Sequence, residues 1–512
     1  MAVQATYALY VDWNSNGSYA DAGDDISADW VNITISRGYY DTLARYPTVG
    51  RMTVLLNNSA QTYSPPATAA ARPRRPVRLT MTYGGSTVTL FEGFITGIVP
   101  ASGTKRSRRA MMYCVDRLAD LDRFEGAIAL QTNVHADDII TAVVAAVYTP
   151  GSTSYQSGLN LFATGADRWI GQLLAWEVHS GPGGGAAIME NISASDKILD
   201  ACVGDWGRFF ISKSGVPTFY NRHQMPTDST TDLTLSDNMI NMNYQMSDTD
   251  IFNYIEVTCH PRTIGTVNEV LGAISQTTAP MLEPSGATIF NIAFRDPSNN
   301  AIRLGGKTVL TPVATTDYIC SSDEAGEGTD ETANVTPTIT AYGDRVEITM
   351  TNDVARQVYI QKLQVRGLAV RILEPITVIA QDATSIAAYG KRKLAVDAVL
   401  MSNDIHAKNL ADYLLAYYKD PHHEMRGIQI IGNINATLMA AVRDLELMDR
   451  VVLTETQTGL SSTAGYINWM QHTINSKWDH RLTFNLEEAY TLGGDEARWD
   501  EAHWDGPEVW IY

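Results

Sequence analysis

The two ends of the chain repeat one pattern of three short strands. Each copy runs from a strand through a Gly-containing turn into a second strand, and then into a third strand led by basic residues. The copies are PVRLTMTY, FEGFITGIVP and RRAMMYCVDRL at 76–83, 91–100 and 108–118, and DRVVLTET, TAGYINWMQHT and HRLTFNLEEAY at 449–456, 463–473 and 480–490. Three short strands can match by chance, but a true duplication predicts the same meander in two related domains.

A duplicated domain has a consequence for assembly. When each chain carries two similar modules, a ring of n chains presents 2n modules and has a higher pseudo-symmetry than its chain count. The repeat therefore predicts a chain suited to a closed cyclic assembly.

The remaining patterns predict a mainly β chain with inserted domains. Runs of four to ten residues rich in β-branched and aromatic side chains fill the first 123 residues and return after residue 235. Helical periodicity marks 134–148, 193–207 and 402–419. We predict two tube-like antiparallel β-barrel domains at the chain ends, with α+β and β-sandwich-like domains between them. The predicted divisions are 1–123 (first barrel), 124–234 (α+β insertion), 235–375 (β-rich insertion), 376–492 (second barrel) and 493–512 (aromatic and acidic tail).

Charge is distributed unevenly along the chain. The 512 residues include 38 basic and 57 acidic side chains, so the formal net charge of -19 argues against nucleic-acid binding through phosphate contacts. The first 125 residues, however, hold 13 basic and 11 acidic residues. Their basic clusters are either solvated loop ends or a docking surface for an acidic partner. The candidate docking residues in them are Arg72, Arg74, Arg75, Arg78, Lys105 and Arg106.

The sequence lacks the common signatures of catalysis. It has no nucleophile elbow, paired-histidine zinc motif, Walker loop or dinucleotide-binding glycine motif. The four cysteines lie at least 57 residues apart, which predicts buried, reduced thiols. The N-terminus does not read as a signal peptide, and no stretch of about 18 apolar residues occurs. We therefore predict a non-enzymatic protein that folds in the cytosol and is not inserted into a membrane.

One motif has the spacing of a metal ligand set. Asp12, Asn14 and Asn16 stand at positions 1, 3 and 5 of a calcium-type loop, with Gly17 at position 6. The twelfth position is a glycine where such loops carry glutamate, although Asp21 could substitute. The alternatives are a Ca²⁺ site and an Asx-rich turn. No other cofactor is indicated.

The order of several segments resembles tailed-phage tail-tip proteins of the baseplate hub type. The resemblance begins with YALYVDWNSNGSYADAGDDISADWVNITISRG and RPVRLTMTYGG, and it continues through SASDKILDACVGDWGRFFISKSGVPTFYNR, DIFNYIEVTCHPR and AKNLADYLLAYYKDP. It covers about residues 5–490. Each motif is moderately specific, and their order is more informative than any one of them.

The resemblance implies a trimeric hub like those of contractile tails. Three chains would place six barrels in a ring that matches a sixfold tail tube and offers threefold symmetry to a spike or fibre. The implied partners are a second and third copy of the chain, the distal tail or tail tube protein, the tape measure protein and the central spike or fibre protein. DNA would pass through the lumen without being held, and the chain would be assembled in the host cytoplasm and reside at the tail tip of the virion, with roles in host attachment and genome ejection.

The large members of this family append a peptidase or glycosidase domain, whereas this sequence ends in an aromatic and acidic tail. Trp499, Trp504 and Trp510 make that tail either a docking peptide for a neighbouring protein or a strand that closes the second barrel. The alternative function is a carbohydrate-binding or carbohydrate-cleaving tail protein that acts on the host surface through the 235–375 region. Two carboxylates flanked by aromatic rings in a cleft would favour that alternative.

Overall fold

The largest unit of the fold is one continuous twelve-stranded sheet that divides into two six-stranded modules. The computed structural model describes residues 3–65, 71–101, 108–126, 128–130, 136–147, 192–222, 230–274, 278–475, 479–489, 496–497 and 509–510. The first module contains β1 (Thr6–Val11), β2 (Trp30–Gly38), β3 (Thr48–Asn57), β4 (Pro76–Tyr83), β5 (Ser86–Pro100) and β6 (Arg109–Val115). Its strand order is β1-β4-β5-β6-β3-β2, and every neighbouring pair is antiparallel.

Alternating side chains explain why these segments form a sheet with one buried face. Met52, Val54 and Leu56 of β3 are fully buried, and the residues between them are partly exposed. All six strands contribute to the same apolar core in this way. Representative core residues, one from each strand, are Leu9, Ile33, Met52, Leu79, Ile95 and Met112.

A small α+β insertion follows the first module, as the sequence predicts. Its elements are α1 (Leu118–Leu121), β7 (Glu125–Gly126), α2 (Ala136–Val147), β8 (Ile192–Ser193), α3 (Ala194–Asp205), β9 (Arg208–Ile211) and β10 (Pro217–Tyr220). The Ser193 hydroxyl caps α3 by accepting a hydrogen bond of 3.1 Å from the backbone N–H of Asp196. β9 and β10 form the predicted hairpin, in which Gly215 adopts a φ of 78°.

A second insertion lies within the second module. It separates the first two strands of that module from its last four along the chain. The first two strands are β11 (Leu233–Ser236) and β12 (Asn241–Ser247). The insertion comprises β13 (Tyr254–Cys259), β14 (Arg262–Ile264), β15 (Glu269–Ala273), β16 (Met281–Leu282), β17 (Ala287–Ala293), β18 (Arg295–Asp296), β19 (Asn299–Arg303), β20 (Gly305–Lys307), β21 (Tyr318–Ser321), β22 (Val335–Ala341), β23 (Arg345–Asn352), β24 (Val358–Ile372), β25 (Ile376–Gln381), α4 (Ala383–Tyr389), β26 (Lys393–Ala398) and α5 (Asp404–Tyr418).

Two separate cores stabilise this second insertion. The long strand β24 pairs with β14, β15, β16, β20 and β21, and β17, β23 and β22 form a sheet that shares its apolar core. β13 lies between β25 and β26, and α5 packs against that sheet through Leu410 and Leu414. The predicted helix at 402–419 is confirmed, and the Asn403 side chain caps it.

The second module is completed by β27 (His422–Ile431), α6 (Ala436–Asp444), β28 (Arg450–Glu455), β29 (Leu460–Asn475) and β30 (His480–Glu488). Its strand order is β11-β28-β29-β30-β27-β12. The described part of the tail contains the paired strands β31 (Glu496–Ala497) and β32 (Val509–Trp510).

The two modules correspond strand for strand. The six strands of the first, taken in chain order, occupy the same positions as β11, β12, β27, β28, β29 and β30 of the second. Only the first pair differs, because β1 is antiparallel to β4 whereas β11 is parallel to β28. The sequence repeat therefore detects half of a six-stranded duplication.

The correspondence extends to irregular backbone features. Each fifth strand carries a bulge at the equivalent residue, Thr96 in β5 and Asn468 in β29. Before each fourth strand a non-glycine residue is left-handed, Arg74 with φ 67° and Met448 with φ 70°. The backbone N–H of each donates to the equivalent isoleucine carbonyl, Ile95 at 2.6 Å and Ile467 at 2.8 Å. Matching bulges and a matching strained residue support duplication beyond chance similarity of strands.

Strand pairing differs from the predicted domain divisions at 235 and 376. β11 and β12 lie in the sheet of the second module, whereas β25 and β26 pair with β13 in a separate sheet. The local sequence of these segments does not identify their partners, because the partners are more than 100 residues away along the chain.

The four cysteines, Cys114, Cys202, Cys259 and Cys320, are buried and unbridged, as predicted. Among the described residues, no helix has both the length and the apolar character needed to span a bilayer.

Candidate functional site

The junction between the two modules is formed by unlike strands. β2, the second strand of the first module, pairs antiparallel with β29, the fifth strand of the second module. The pairing runs from Asn32 opposite Asn475 to Gly38 opposite Trp469. β29 is long enough to serve both modules, since its first half pairs with β28 and its second half with β2. The contact is heterologous, because the two modules use different surfaces to form it.

Gly38 allows the closest approach at this junction. Its φ is 120°, which a residue with a side chain adopts only with strain. A Cβ atom at this position would lie 2.4 Å from the carbonyl oxygen of Asn468 and 2.6 Å from the Cα of Trp469. The backbone of β2 can therefore contact β29 here only because residue 38 is glycine.

An acidic loop of the second module receives a buried arginine of the first. The Arg37 guanidinium is 2% exposed and donates to Glu446 Oε1 at 2.7 Å. The other carboxylate oxygen of Glu446 accepts from the backbone N–H of Lys213 at 2.7 Å. Burial raises the pKa of the neighbouring Asp449 to about 7, even though its carboxylate accepts from the Glu446 backbone N–H. The charge across the junction is therefore paired, basic on β2 and acidic before β28.

A second buried ion pair fastens the β2–β3 loop to the second module. Arg208 of β9 contacts Glu487 of β30, and its guanidinium also donates to the carbonyl oxygens of Thr42 and Ala44 at 2.8 and 2.9 Å. The guanidinium carbon lies 4.7 Å from the centre of the Tyr39 ring. Burial alone would lower the pKa of Arg208, but the Glu487 carboxylate raises it above its usual value. The first insertion thus holds the two modules together.

A buried chain of three rings also crosses the junction. The Tyr7 hydroxyl of β1 is 2.8 Å from His480 Nδ1, and His480 Nε2 is 2.9 Å from His472 Nδ1. Burial lowers the pKa of His480 to about 3, and burial together with His480 lowers the pKa of His472 well below its usual value. Both imidazoles are therefore neutral in the folded protein at neutral pH.

This histidine pair predicts loss of stability on mild acidification. The unfolded chain takes up a proton at His480 below about pH 6.5, whereas the folded chain does so only near pH 3. Stability from this group is complete above pH 6.5 and falls between pH 6.5 and 3, by about 2 kcal/mol at pH 5. In denaturant titrations, His480→Gln should show a smaller fall in unfolding free energy from pH 7 to pH 5 than the parent chain. An unchanged pH dependence would contradict the buried neutral assignment.

Two cavities bear on the carbohydrate alternative. A cleft between the Tyr39 loop and β30 contains Tyr417, Glu487 and Glu488, but its volume of about 50 Å³ is too small for a sugar ring. A surface groove of about 560 Å³ lies beside the start of β3, outside the 235–375 region for which the carbohydrate function is predicted. There the Tyr46 hydroxyl donates to Asp122 at 3.1 Å, burial raises the pKa of Asp122, and Asp196 lies nearby.

Three of the predicted basic docking residues lie on the loop before β4. Arg72 and Arg74 are exposed, and Arg74 pairs with Asp120 at 2.6 Å. Arg75 is partly exposed and donates to the Ser15 hydroxyl at 2.6 Å. Arg78 instead belongs to the first module's own packing, since it pairs with Glu92 at 3.0 Å. Lys105, Arg106, Trp499 and Trp504 lie outside the described residues, and of Trp510 only its backbone in β32 is described.

The candidate calcium loop is organised around its own backbone. Asp12 is fully buried, and its carboxylate accepts from the N–H groups of Asn16 and Gly17 at 3.2 and 2.8 Å. The side-chain amides of Asn14 and Asn16 donate to Asp21 Oδ2 at 3.4 and 2.7 Å. Within the described ranges, no group of three or more His, Cys, Asp or Glu side chains is arranged to hold a metal ion. These side-chain-to-backbone hydrogen bonds are those of an Asx-rich turn, and the Ca²⁺ site stays a prediction.

The turn and the calcium site predict different responses to metal. Asp12→Ala should cost about 1–3 kcal/mol, because the backbone N–H groups of Asn16 and Gly17 lose a charged acceptor that is itself buried. We expect the same loss with chelator and with excess Ca²⁺, measured by thermal unfolding. A rise in Tm of the parent chain on adding Ca²⁺, absent in Asp12→Ala, would establish the metal site instead.

The sequence did not single out the residues that join the modules. Arg37, Gly38, Arg208, Glu446 and Glu487 lie in ordinary strand or loop contexts, and the partners of the two ion pairs are 409 and 279 residues apart. The repeat recognised in the sequence contains only Glu487 of these five residues, so it gave no signal for the other four.

No protein-family model matches the chain, and neither does any curated protein. Among solved structures, a tail protein from Neisseria meningitidis MC58 aligns over 94% of this chain and 96% of its own, with 9% identity and a TM-score of 0.46. The 43 kDa tail protein of prophage MuSo2 from Shewanella oneidensis aligns over 94% and 98%, with 10% identity and a TM-score of 0.46. The E. coli c3393 protein, a type VI secretion component, aligns over 91% and 76%, with 8% identity and a TM-score of 0.36.

Proposed function

We propose that this chain is a structural protein of a phage tail tip, where three copies form a ring of six modules. The ring joins a sixfold tail tube to a threefold central spike or fibre. The observation that carries the proposal is the heterologous junction between β2 and β29 of two equivalent modules. The resemblance of the sequence to hub proteins supports the number of copies.

The junction supports a ring because each module uses only one of its two joining edges inside the chain. The other edge of each module stays open to a second copy. β12 is the second module's equivalent of β2, and within the described residues it pairs only with β27. β5 is the first module's equivalent of β29, and in the described part of the chain its second half, 96–100, pairs with β6 alone. A heterologous contact that repeats between copies closes into a ring when the rotation per module allows it.

The same proposal gives the ring a lumen for the tape measure protein and then the DNA. The net charge of -19 suits a wall that does not retain passing phosphates. The ring is a virion component at the tail tip, and its chains are made in the host cytoplasm. Its role in host attachment and genome ejection is mechanical, and no catalytic step is assigned to it.

The proposal is tested by removing the chain from a phage or prophage that encodes it. We expect particles without attached tail tips, because the tube then has no threefold platform to join. Complementation with the parent chain should restore them. Normal tails in its absence would contradict the structural role.

The carbohydrate function is the second candidate, and the groove with Asp122, Asp196 and Tyr46 favours it. Paired carboxylates beside an aromatic ring are the groups that glycoside cleavage uses. The test is polysaccharide release from the host surface by the purified chain. Release that is lost in Asp122→Asn would favour this function, whereas the structural account expects none from the parent chain.

A further inference from the structure

The open half-edge of β5 and the open edge of β12 match each other in register. We infer that β12 of one copy pairs with residues 96–100 of β5 in the next copy, repeating the in-chain pairing of β2 with β29. This inference rests on the proposed ring and names the surface that forms it. The occupant of each edge is a second copy of this chain.

The register follows from the equivalence of the two modules. Because of the shared bulge, Gly97 in β5 corresponds to Trp469, and Val99 corresponds to Gln471. The pairing of β12 with β27 makes Gln245 equivalent to Ser36 and Ser247 equivalent to Gly38. Ser36 and Gln471 face each other across the in-chain junction. Val99 of one copy therefore faces Gln245 of the next.

Both contacts have a glycine at the point of closest approach. In the contact inside the chain the glycine is on β2, and in the proposed contact between copies it is on β5. Inside the chain Gly38 lies opposite Trp469, and a Cβ at Gly38 would collide with β29. Between copies the same position places Ser247 opposite Gly97. A Cβ at Gly97 would meet nothing within 4 Å, so the space beside β5 is open to receive a residue with a side chain.

Charge is reversed on the receiving loop, which is the loop before β4 or β28, and the inserted edge, β2 or β12, exchanges one basic residue for a neutral one and another for an acidic one. On the receiving loop the acidic Glu446 and Asp449 of the second module are replaced by Arg72 and Arg75 of the first. On the inserted edge the basic pair of the first module, Arg37 on β2 and Arg51 on β3, is replaced by Met246 and Glu424.

Two further acids, Asp248 and Asp250, directly follow β12. Asp248 contacts Arg392 yet remains 64% exposed, and Arg74 beside the receiving loop remains 52% exposed despite its pairing with Asp120. The contact inside the chain is thus a basic strand on an acidic loop, and the contact between chains is an acidic strand end on a basic loop. This opposite polarity favours pairing of unlike edges and disfavours pairing of two identical edges.

A disulfide between copies tests the assignment. Opposed Cα atoms on antiparallel strands are about 4.5–5.5 Å apart, within the range of a disulfide. We expect the full chain with Val99→Cys and Gln245→Cys, oxidised across a concentration series, to give a covalent trimer on non-reducing gels. The native cysteines are buried and contribute little background.

Three controls separate this inference from the proposed ring. Each single-cysteine variant, and Val99→Cys combined with Ile289→Cys on the exposed face of β17, should give no covalent trimer. Trimers of the parent chain by native mass spectrometry, without the Val99–Gln245 cross-link, would overturn the edge assignment and leave the ring in place. A parent chain that stays monomeric throughout the series would contradict the ring, and this interface with it.

Discussion

Replacing Arg208 with methionine is expected to destabilise the folded chain by about 3–5 kcal/mol. The substitution keeps much of the side-chain volume but leaves the Glu487 carboxylate, which is 9% exposed, without its cationic partner. Removing one member of a buried ion pair costs this much because the remaining charge stays desolvated. The carbonyl oxygen of Ala44 loses the Arg208 donor in the same step, whereas that of Thr42 keeps a hydrogen bond from the Arg45 guanidinium.

A matched pair of variants separates the charge from the packing. Arg208→Met combined with Glu487→Gln should recover part of the loss, because no unpaired charge then remains. Denaturant unfolding gives the free energies of unfolding. In Arg208→Met, the rate of amide hydrogen exchange should rise most in the β2–β3 loop, which Arg208 contacts. A loss below about 1 kcal/mol for Arg208→Met would mean that this ion pair does not secure the module junction.

Reversing the basic loop before β4 is expected to abolish ring assembly while the chain stays folded. The variant carries Arg72→Glu, Arg74→Glu and Arg75→Glu, and its target is the acidic end of β12 on the next copy. The variant loses the contacts of Arg74 with Asp120 and the Phe94 ring and the hydrogen bond from Arg75 to Ser15, and since Arg72 and Arg74 are exposed we expect a folding cost that leaves the chain folded. Assembly is read by native mass spectrometry, and folding by thermal unfolding.

Rescue and a charge-matched control make this result specific. Adding Asp248→Lys and Asp250→Lys to the reversed loop should restore assembly, because the two edges become complementary again. A control with Lys362→Glu, Lys393→Glu and Lys408→Glu changes the net charge equally but lies on the second insertion, so it should assemble as the parent does. Unimpaired assembly of the reversed loop would contradict its role in docking.

The sequence predicts elements better than it predicts their partners. The three strands of each repeat, the helices α2, α3 and α5 and the β9–β10 hairpin are recognisable because capping residues, turns and alternation act within a few residues. β12 is not recognisable in the sequence as a strand of the second module, because residues on both of its faces are exposed or partly exposed and its weak alternation carries no information on pairing. The pairing of β2 with β29, which joins the two modules, is not indicated by the sequence for the same reason.

The junction residues illustrate the limit most clearly. The role of Gly38 is clear only once the backbone of β29 is known to lie against it. In the sequence alone, Arg37 and Glu446 have the pattern of ordinary surface charges. The repeat supplied the one long-range constraint in the sequence. Because the two modules are equivalent, the contact of β2 with β29 inside the chain predicts a contact of β12 with β5 between chains.

Symmetry-resolved electron cryomicroscopy of tail tips that contain this chain would show the proposed ring itself. We expect a ring centred on the tail axis, with three chains, six modules and β12 of each chain beside β5 of the next. A chain placed at the periphery, or a ring in which two β12 edges meet each other, would contradict it.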